Sequence, residues 1–132
     1  MKIVLESEES ILLLAADGML TIEAASAEQT YSSFHMLASA LATCTFAVLD
    51  SWAHQANLHV NDLSIRVRWE FAEDPHRVST FDLQFVWPSL PDARVRAAKR
   101  VAALCAVHAS LMHPPAINIG VVDRPATPAV RA

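Results

Sequence analysis

The stretch from Phe34 to Ala56, FHMLASALATCTFAVLDSWAHQA, constrains this chain more than any other. It reads as one long helix that is apolar nearly all round, and such a helix needs neighbours on most of its sides. Its length is close to that of a membrane span. It is built of alanines more than leucines, however, and His35, Ser39, Thr43, Asp50 and Ser51 make insertion poor. The helix is therefore expected inside protein, with sheet on one side and a second subunit on the other, and no membrane is expected as a partner. Ser32 or Ser33 can cap its first free N–H groups.

Hydrophobic residues make up 53% of the 132 and charged residues only 18%, more apolar surface than one small core hides, which favours a dimer. A net charge of -4 with scattered signs offers no basic stripe and argues against nucleic acid as a partner. The start, MKIVLESEES, lacks the basic residues, apolar run and cleavage site of a secretory signal, so a cytoplasmic location is expected. There the two cysteines would stay reduced, and a transient disulfide is admissible where a permanent one is not.

Around the long helix the pattern is β. KIVLE and ILLLAADGMLTIEA read as strands, with Asp17-Gly18 as a hairpin turn because both residues tolerate positive φ. In LSIRVRWEF the apolar residues Leu63, Ile65, Val67, Trp69 and Phe71 alternate with Ser64, Arg66, Arg68 and Glu70, the mark of a half-buried strand. After a turn at EDPHR, Phe81, Leu83, Phe85 and Trp87 repeat the alternation, so a second hairpin is expected with one face on the core. Arg66 and Arg68 fall on the solvated face, where Glu70 and Asp82 can pair with them. From Asp92 to about Met112 the spacing of Val95, Ala98, Val101, Ala102, Cys105 and Met112 is helical, with Cys105 on the inward stripe. Pro114 and Pro115 stop this helix, AINIGVV is β-rich enough for a last strand, and the proline-spaced tail from Arg124 is expected to be poorly ordered. The order predicts an α+β fold, antiparallel β-sheet packed on two helices, in a single domain over 1–123 with a tail over 124–132. With two glycines in all, no phosphate loop exists, and no nucleotide is expected.

The chemistry rests on the two cysteines, Cys44 and Cys105. Each alone fits an inert core residue. Both lie on faces that must be buried, however, and two buried helices approach to about 8–10 Å, so the faces can meet. A disulfide would require Cα atoms within about 7 Å. Cys44 has no cation and no helix terminus within reach in its own helix, so an activator must come from elsewhere. His35 lies nine residues before it, roughly 13 Å along a continuous helix, and is either a cap or an activator supplied from another position. His108, three residues after Cys105, can polarise that thiol or orient a substrate, or can be an ordinary half-buried histidine. Cys44, Cys105 and His108 lack the paired spacing of a zinc site, and no GxSxG elbow points to a serine hydrolase.

LASALATCTFAVLDSWA, then a strand hairpin, then VAALCAVHASL and INIGV resembles the OsmC/Ohr family of osmotically inducible and organic hydroperoxide resistance proteins. The likeness runs from the first helix to the last strand. It implies an OsmC-like intertwined homodimer with a long central helix carrying Cys44 and with the sites at the subunit interface. It implies that Cys44 attacks an organic hydroperoxide and becomes a sulfenic acid, and that Cys105 resolves this as a disulfide. No cofactor or metal is implied; the partners would be a small-molecule hydroperoxide and a thiol electron donor. The family's activating arginine has no counterpart before Arg66, Phe34 or His35 stands at its glutamate position, and Ala106 replaces the proline of the second motif. Activation would then fall to His35, His108 or a residue of the other subunit. The alternative is a non-catalytic relative whose cysteines are core and whose interface binds a hydrophobic small molecule.

Overall fold

The alternation of apolar side chains fixes which face of each strand turns inward, and the computed structural model, which describes residues 1–123, shows those faces aligned across one sheet. Strands β1 (Lys2–Ser7), β2 (Ser10–Leu14), β3 (Thr21–Ala24), β4 (Ser64–Ala72) and β5 (Arg77–Val86) lie in the order β3-β1-β2-β4-β5. Ile3, Leu13, Ile65 and Phe85 sit in register across four strands, and Leu5, Ile11, Val67 and Leu83 form the next row. On β1, β2 and β4 these residues are buried, each full burial being worth about 1.5–3 kcal/mol of transfer free energy. Helix α1 (Ser33–Gln55) lies over this face and packs on β2 and β4 through a stripe that includes Ala38, Ala42, Phe46, Leu49 and Ala53. By length and composition α1 could cross a membrane, but this stripe is enclosed by the protein's own sheet. Its opposite face stays open, with Met36 and Ala47 exposed.

The Asp17-Gly18 hairpin does not form. Gly18 turns the chain at φ +93, but among the described residues Asp17 is not in the left-handed region, and a two-residue turn of that type needs both. The edges of β2 are taken by β1 and β4, so the chain crosses to the free edge of β1, where β3 pairs in parallel. The sheet is thus mixed rather than antiparallel throughout, and the tight turn near the N-terminus is the one between β1 and β2.

The predicted helix over 92–112 is broken. A single 3-10 turn (Asp92–Arg94) leads into α2 (Val95–Ala102), and α3 (Ala106–Met112) follows after an interruption. Cys105, at φ -59 and ψ 132, has extended backbone and stands as the N-cap of α3, not within a helix. The helical spacing survives across the break because Cys105 still points inward, at 0% exposure. The predicted strand at AINIGVV is also absent. Ile117, Ile119 and Val121 are 82%, 93% and 97% exposed and unpaired, because the fold leaves no strand beside them. The expected tail over 124–132 lies outside the described residues.

Arg66 pairs with Glu6, not with Glu70 or Asp82. Next to the inward Leu5, Glu6 sits at a bulge in β1 on the outer face, where its carboxylate accepts from Arg66 Nε at 2.8 Å and from a terminal guanidinium nitrogen at 2.9 Å. Ser10 Oγ donates to the same carboxylate at 3.0 Å.

A candidate dithiol site

Cys44 and Cys105 meet. Cys44 lies midway along α1 on a half-buried flank, and the break before α3 brings the Cys105 side chain against it. The Cys105 thiol and the backbone N–H groups of Val107 and Ala106 lie beside the Cys44 sulfur and favour its ionised form. These are among the orphan N–H groups of the first turn of α3, which have no partner inside the helix. The Cys105 sulfur in turn accepts the N–H of His108 at 3.4 Å, so three successive amides of α3 converge on the two sulfurs.

The electrostatics of the pair are unequal. Burial raises the pKa of Cys44, but the hydrogen bonds from Cys105, Val107 and Ala106 outweigh it, and the thiol is held below its ordinary value. Burial raises the pKa of Cys105, as do its hydrogen bond to Cys44 and the charge there, against the lowering effect of the His108 N–H and the Thr45 side chain. Cys44 is therefore the thiol of the pair that ionises more readily, and Cys105 the one that holds its proton more tightly. Cys44 is also the more accessible, since Cys105 is fully buried.

His35 is not in this site. It occupies the third position of α1, where its backbone N–H donates to Ser32 Oγ at 3.2 Å. Its Nδ1 accepts the Ser32 N–H at 3.1 Å, and its Nε2 lies 2.8 Å from the Ser7 carbonyl oxygen, which fixes the tautomer with the proton on Nε2. This is a reciprocal cap that also ties α1 to the end of β1. The imidazole is buried against Trp69, with ring centroids 5.1 Å apart. Within its own chain His35 serves as the cap of α1. His108 does join the site, but through its backbone amide, while its side chain lines an adjoining groove. Arg66 and Arg68 lie on the far face of the sheet.

The groove, about 1100 Å³, runs between the inner face of β5 and helices α2 and α3. Phe81, Leu83, Phe85 and Leu111 line it, and Lys99 and His108 are among its polar residues. Neither sulfur lines it; Thr45, next to Cys44 in the chain, and His108, whose N–H meets the Cys105 sulfur, form its wall on that side.

Two contributors were not visible from sequence. The amides of Ala106 and Val107 carry no residue-type signal, although an alanine at 106, where a proline would have no N–H, was a usable hint. Thr45, one residue after Cys44, carries no chemical signal of its own in the sequence.

The OsmC family model, described as OsmC-like protein, matches residues 26–120. A solved structure of similar fold is the osmotic stress induced and detoxification response protein of Psychrobacter arcticus 273-4. It is 24% identical, with a TM-score of 0.58 over 64% of this chain. The match spans 62% of that chain's length. No curated protein matches the chain.

Proposed function

The chain belongs to the OsmC-like protein family, and from that premise and the paired thiols we propose that it reduces organic hydroperoxides. The observation that carries this reading is the convergence of the Cys105 thiol and two backbone amides on the Cys44 sulfur. Such an environment favours thiolate without any arginine, which answers the need left by the family's missing cation. The Cys44 thiolate attacks the distal oxygen of ROOH; the O–O bond breaks, the alkoxide leaves and takes a proton, and Cys44 becomes a sulfenic acid. The Cys105 sulfur then attacks that sulfenic sulfur, an S–S bond forms, and the hydroxyl leaves with the Cys105 proton as water. Two electrons pass from the thiols to the peroxide, and a thiol donor returns them. Nothing in these steps calls for a cofactor or a metal. The roles follow from access and charge: the half-buried, thiolate-favouring Cys44 meets the peroxide, and the enclosed Cys105 resolves. The detoxification response named for the Psychrobacter protein of similar fold fits a role of this kind.

A homodimer is part of the same reading. It is supported by the open face of α1, by β5 standing at the sheet edge and by the exposed apolar residues Ile117, Ile119 and Val121. A cytoplasmic location fits because the chemistry needs both cysteines reduced between turnovers.

The test is addition of cumene hydroperoxide to the reduced protein. Both thiols should be consumed and a Cys44–Cys105 disulfide should appear as a loss of two hydrogens by mass, with Cys105→Ser leaving a sulfenic acid that dimedone traps on Cys44. Thiol consumption no faster than that of free cysteine would remove the enzymatic reading. A second reading, binding of a hydrophobic small molecule, is favoured by the groove beside β5. It would gain if an apolar ligand copurified and Cys44→Ser left its binding unchanged.

A further inference from the structure

The fold divides the charge that the chain as a whole carries with scattered signs. Residues 1–92 hold thirteen acidic residues against four Lys or Arg, whereas residues 93–122 hold four Lys or Arg and no acidic residue. The four are Arg94, Arg96, Lys99 and Arg100, all exposed on the 3-10 turn and α2, and among the described residues none of them enters an ion pair. The inward side of α2 is the fully buried Ala98, so Arg96 and Arg100 stand one helical turn apart on its outer side. Apolar side chains lie beside them. Leu104, two residues past the end of α2, is 74% exposed, and Met112, at the end of α3, is 67% exposed. Val95, Lys99, Leu111 and Met112 border the same groove, which puts the cations of α2 and the apolar residues of α3 on one continuous surface. The acidic side chains gather elsewhere. The Trp69 N–H donates to the Glu9 carbonyl at 3.1 Å and joins the β1–β2 turn, with Glu8 and Glu9, to the β4–β5 end, with Glu70, Glu73 and Asp74. From there the ten residues of β5 carry the chain about 30 Å before the 3-10 turn and α2 begin.

We propose that this face, from Arg94 to Leu104 together with the end of α3, docks the protein on an anionic lipid bilayer. The cations meet the headgroup phosphates and carboxylates, and Leu104 and Met112 enter the boundary with the acyl chains, as the apolar side of an interfacial helix does. The acidic turns then point away from the negative surface, so the separation of charge orients the molecule as well as attracting it. The bilayer is met at its surface and not crossed, and α1 stays enclosed by the sheet. A soluble polyanion explains less. A nucleic acid or an acidic polypeptide would satisfy the four cations yet leave Leu104 and Met112 in water, and residues 93–122 contain no Phe, Tyr or Trp on which a base could stack. The inference does not need the peroxidase reading, because docking depends on charge and apolar surface and not on the thiols.

The test is pelleting of the full chain with vesicles of phosphatidylcholine alone, or of phosphatidylcholine mixed with phosphatidylserine, at low salt and at ~0.5 M salt. Wild type should pellet with the mixed vesicles at low salt, and barely at high salt or with phosphatidylcholine alone. Each cation removed should weaken binding about fivefold, so Arg96→Gln combined with Arg100→Gln should lose about 25-fold. Lys2→Gln combined with Arg77→Gln makes the same change of net charge away from this face and should bind within about twofold of wild type. Leu104→Ser keeps every charge and should weaken binding about tenfold. Circular dichroism should be the same for all of them. Hydrogen exchange of the protein on mixed vesicles should slow over 93–112 and stay unchanged at the β1–β2 turn, and soluble glycerophosphoserine should not displace the protein. Equal pelleting with both kinds of vesicle, or an unchanged affinity in Arg96→Gln combined with Arg100→Gln, would overturn the proposal. So would a DNA duplex or polyglutamate that binds as tightly as the mixed vesicles and is indifferent to Leu104→Ser, since the face would then serve a soluble polyanion. None of these outcomes bears on the reaction with cumene hydroperoxide, which is read with no lipid present.

Discussion

At the scale of single residues, the decisive feature is a backbone amide. Ala106 is the first residue of α3, where proline is well tolerated, and the family's second motif carries proline there. Alanine keeps an N–H that proline lacks, and that N–H reaches the Cys44 sulfur. Cys105, at ψ 132, already has the extended backbone that a following proline requires, and Ala106 is exposed, so a ring has room. Ala106→Pro should therefore fold normally yet lose one donor to the thiolate. Alkylation of Cys44 by iodoacetamide at neutral pH should slow, and the midpoint of its pH–rate profile should move upward, because the lowered pKa of Cys44 is partly the work of this amide. An unchanged profile would show that Val107 and Cys105 suffice.

At the scale of elements, the α1 cap and the β1 bulge are linked: Ser7 accepts from His35, and Glu6 beside it clasps Arg66 on β4 across the outer face. The hydrogen bond from Arg66 is the main reason the Glu6 carboxyl is held below its ordinary value, burial opposing it. A depressed carboxyl adds stability that is fully present above the unfolded value near 4.5 and fades as pH falls through the folded one. Both side chains are about a third exposed, so solvent screens the pair. Glu6→Gln should cost roughly 0.5–1 kcal/mol in urea unfolding at pH 7, with the gap to wild type closing as pH falls below 4.5. Much at this scale was legible beforehand. The β4–β5 hairpin followed from strict alternation, and α1 and its Ser32 cap from length and polarity. The β2–β3 connection was misread because turn chemistry reports that a chain turns, not which strand edge is vacant when it does. The break before α3 was hidden because an interruption that keeps the inward residue inward leaves the helical period undisturbed.

At the scale of the whole molecule, the fold leaves apolar surface that one chain does not cover: the groove beside β5, the outer face of α1 and the segment around Ile119. If that segment docks on a second copy, Ile119→Asp should shift the protein from dimer to monomer in sedimentation velocity without changing its circular dichroism. A wild-type protein that sediments as a monomer would remove the dimer from the reading. The sequence by itself determined the strands of the sheet, the long helix, the inward faces and the inward turn of Cys105. Those properties are written in the period of neighbouring side chains, a few residues at a time. Only the tertiary structure decided that the sulfurs touch, that β3 lies beside β1 and that the amides of α3 aim at Cys44. The sulfurs are 61 positions apart in the chain, so their contact depends on how whole elements pack. The groups that hold the thiolate are backbone N–H groups, which nearly every residue type supplies alike.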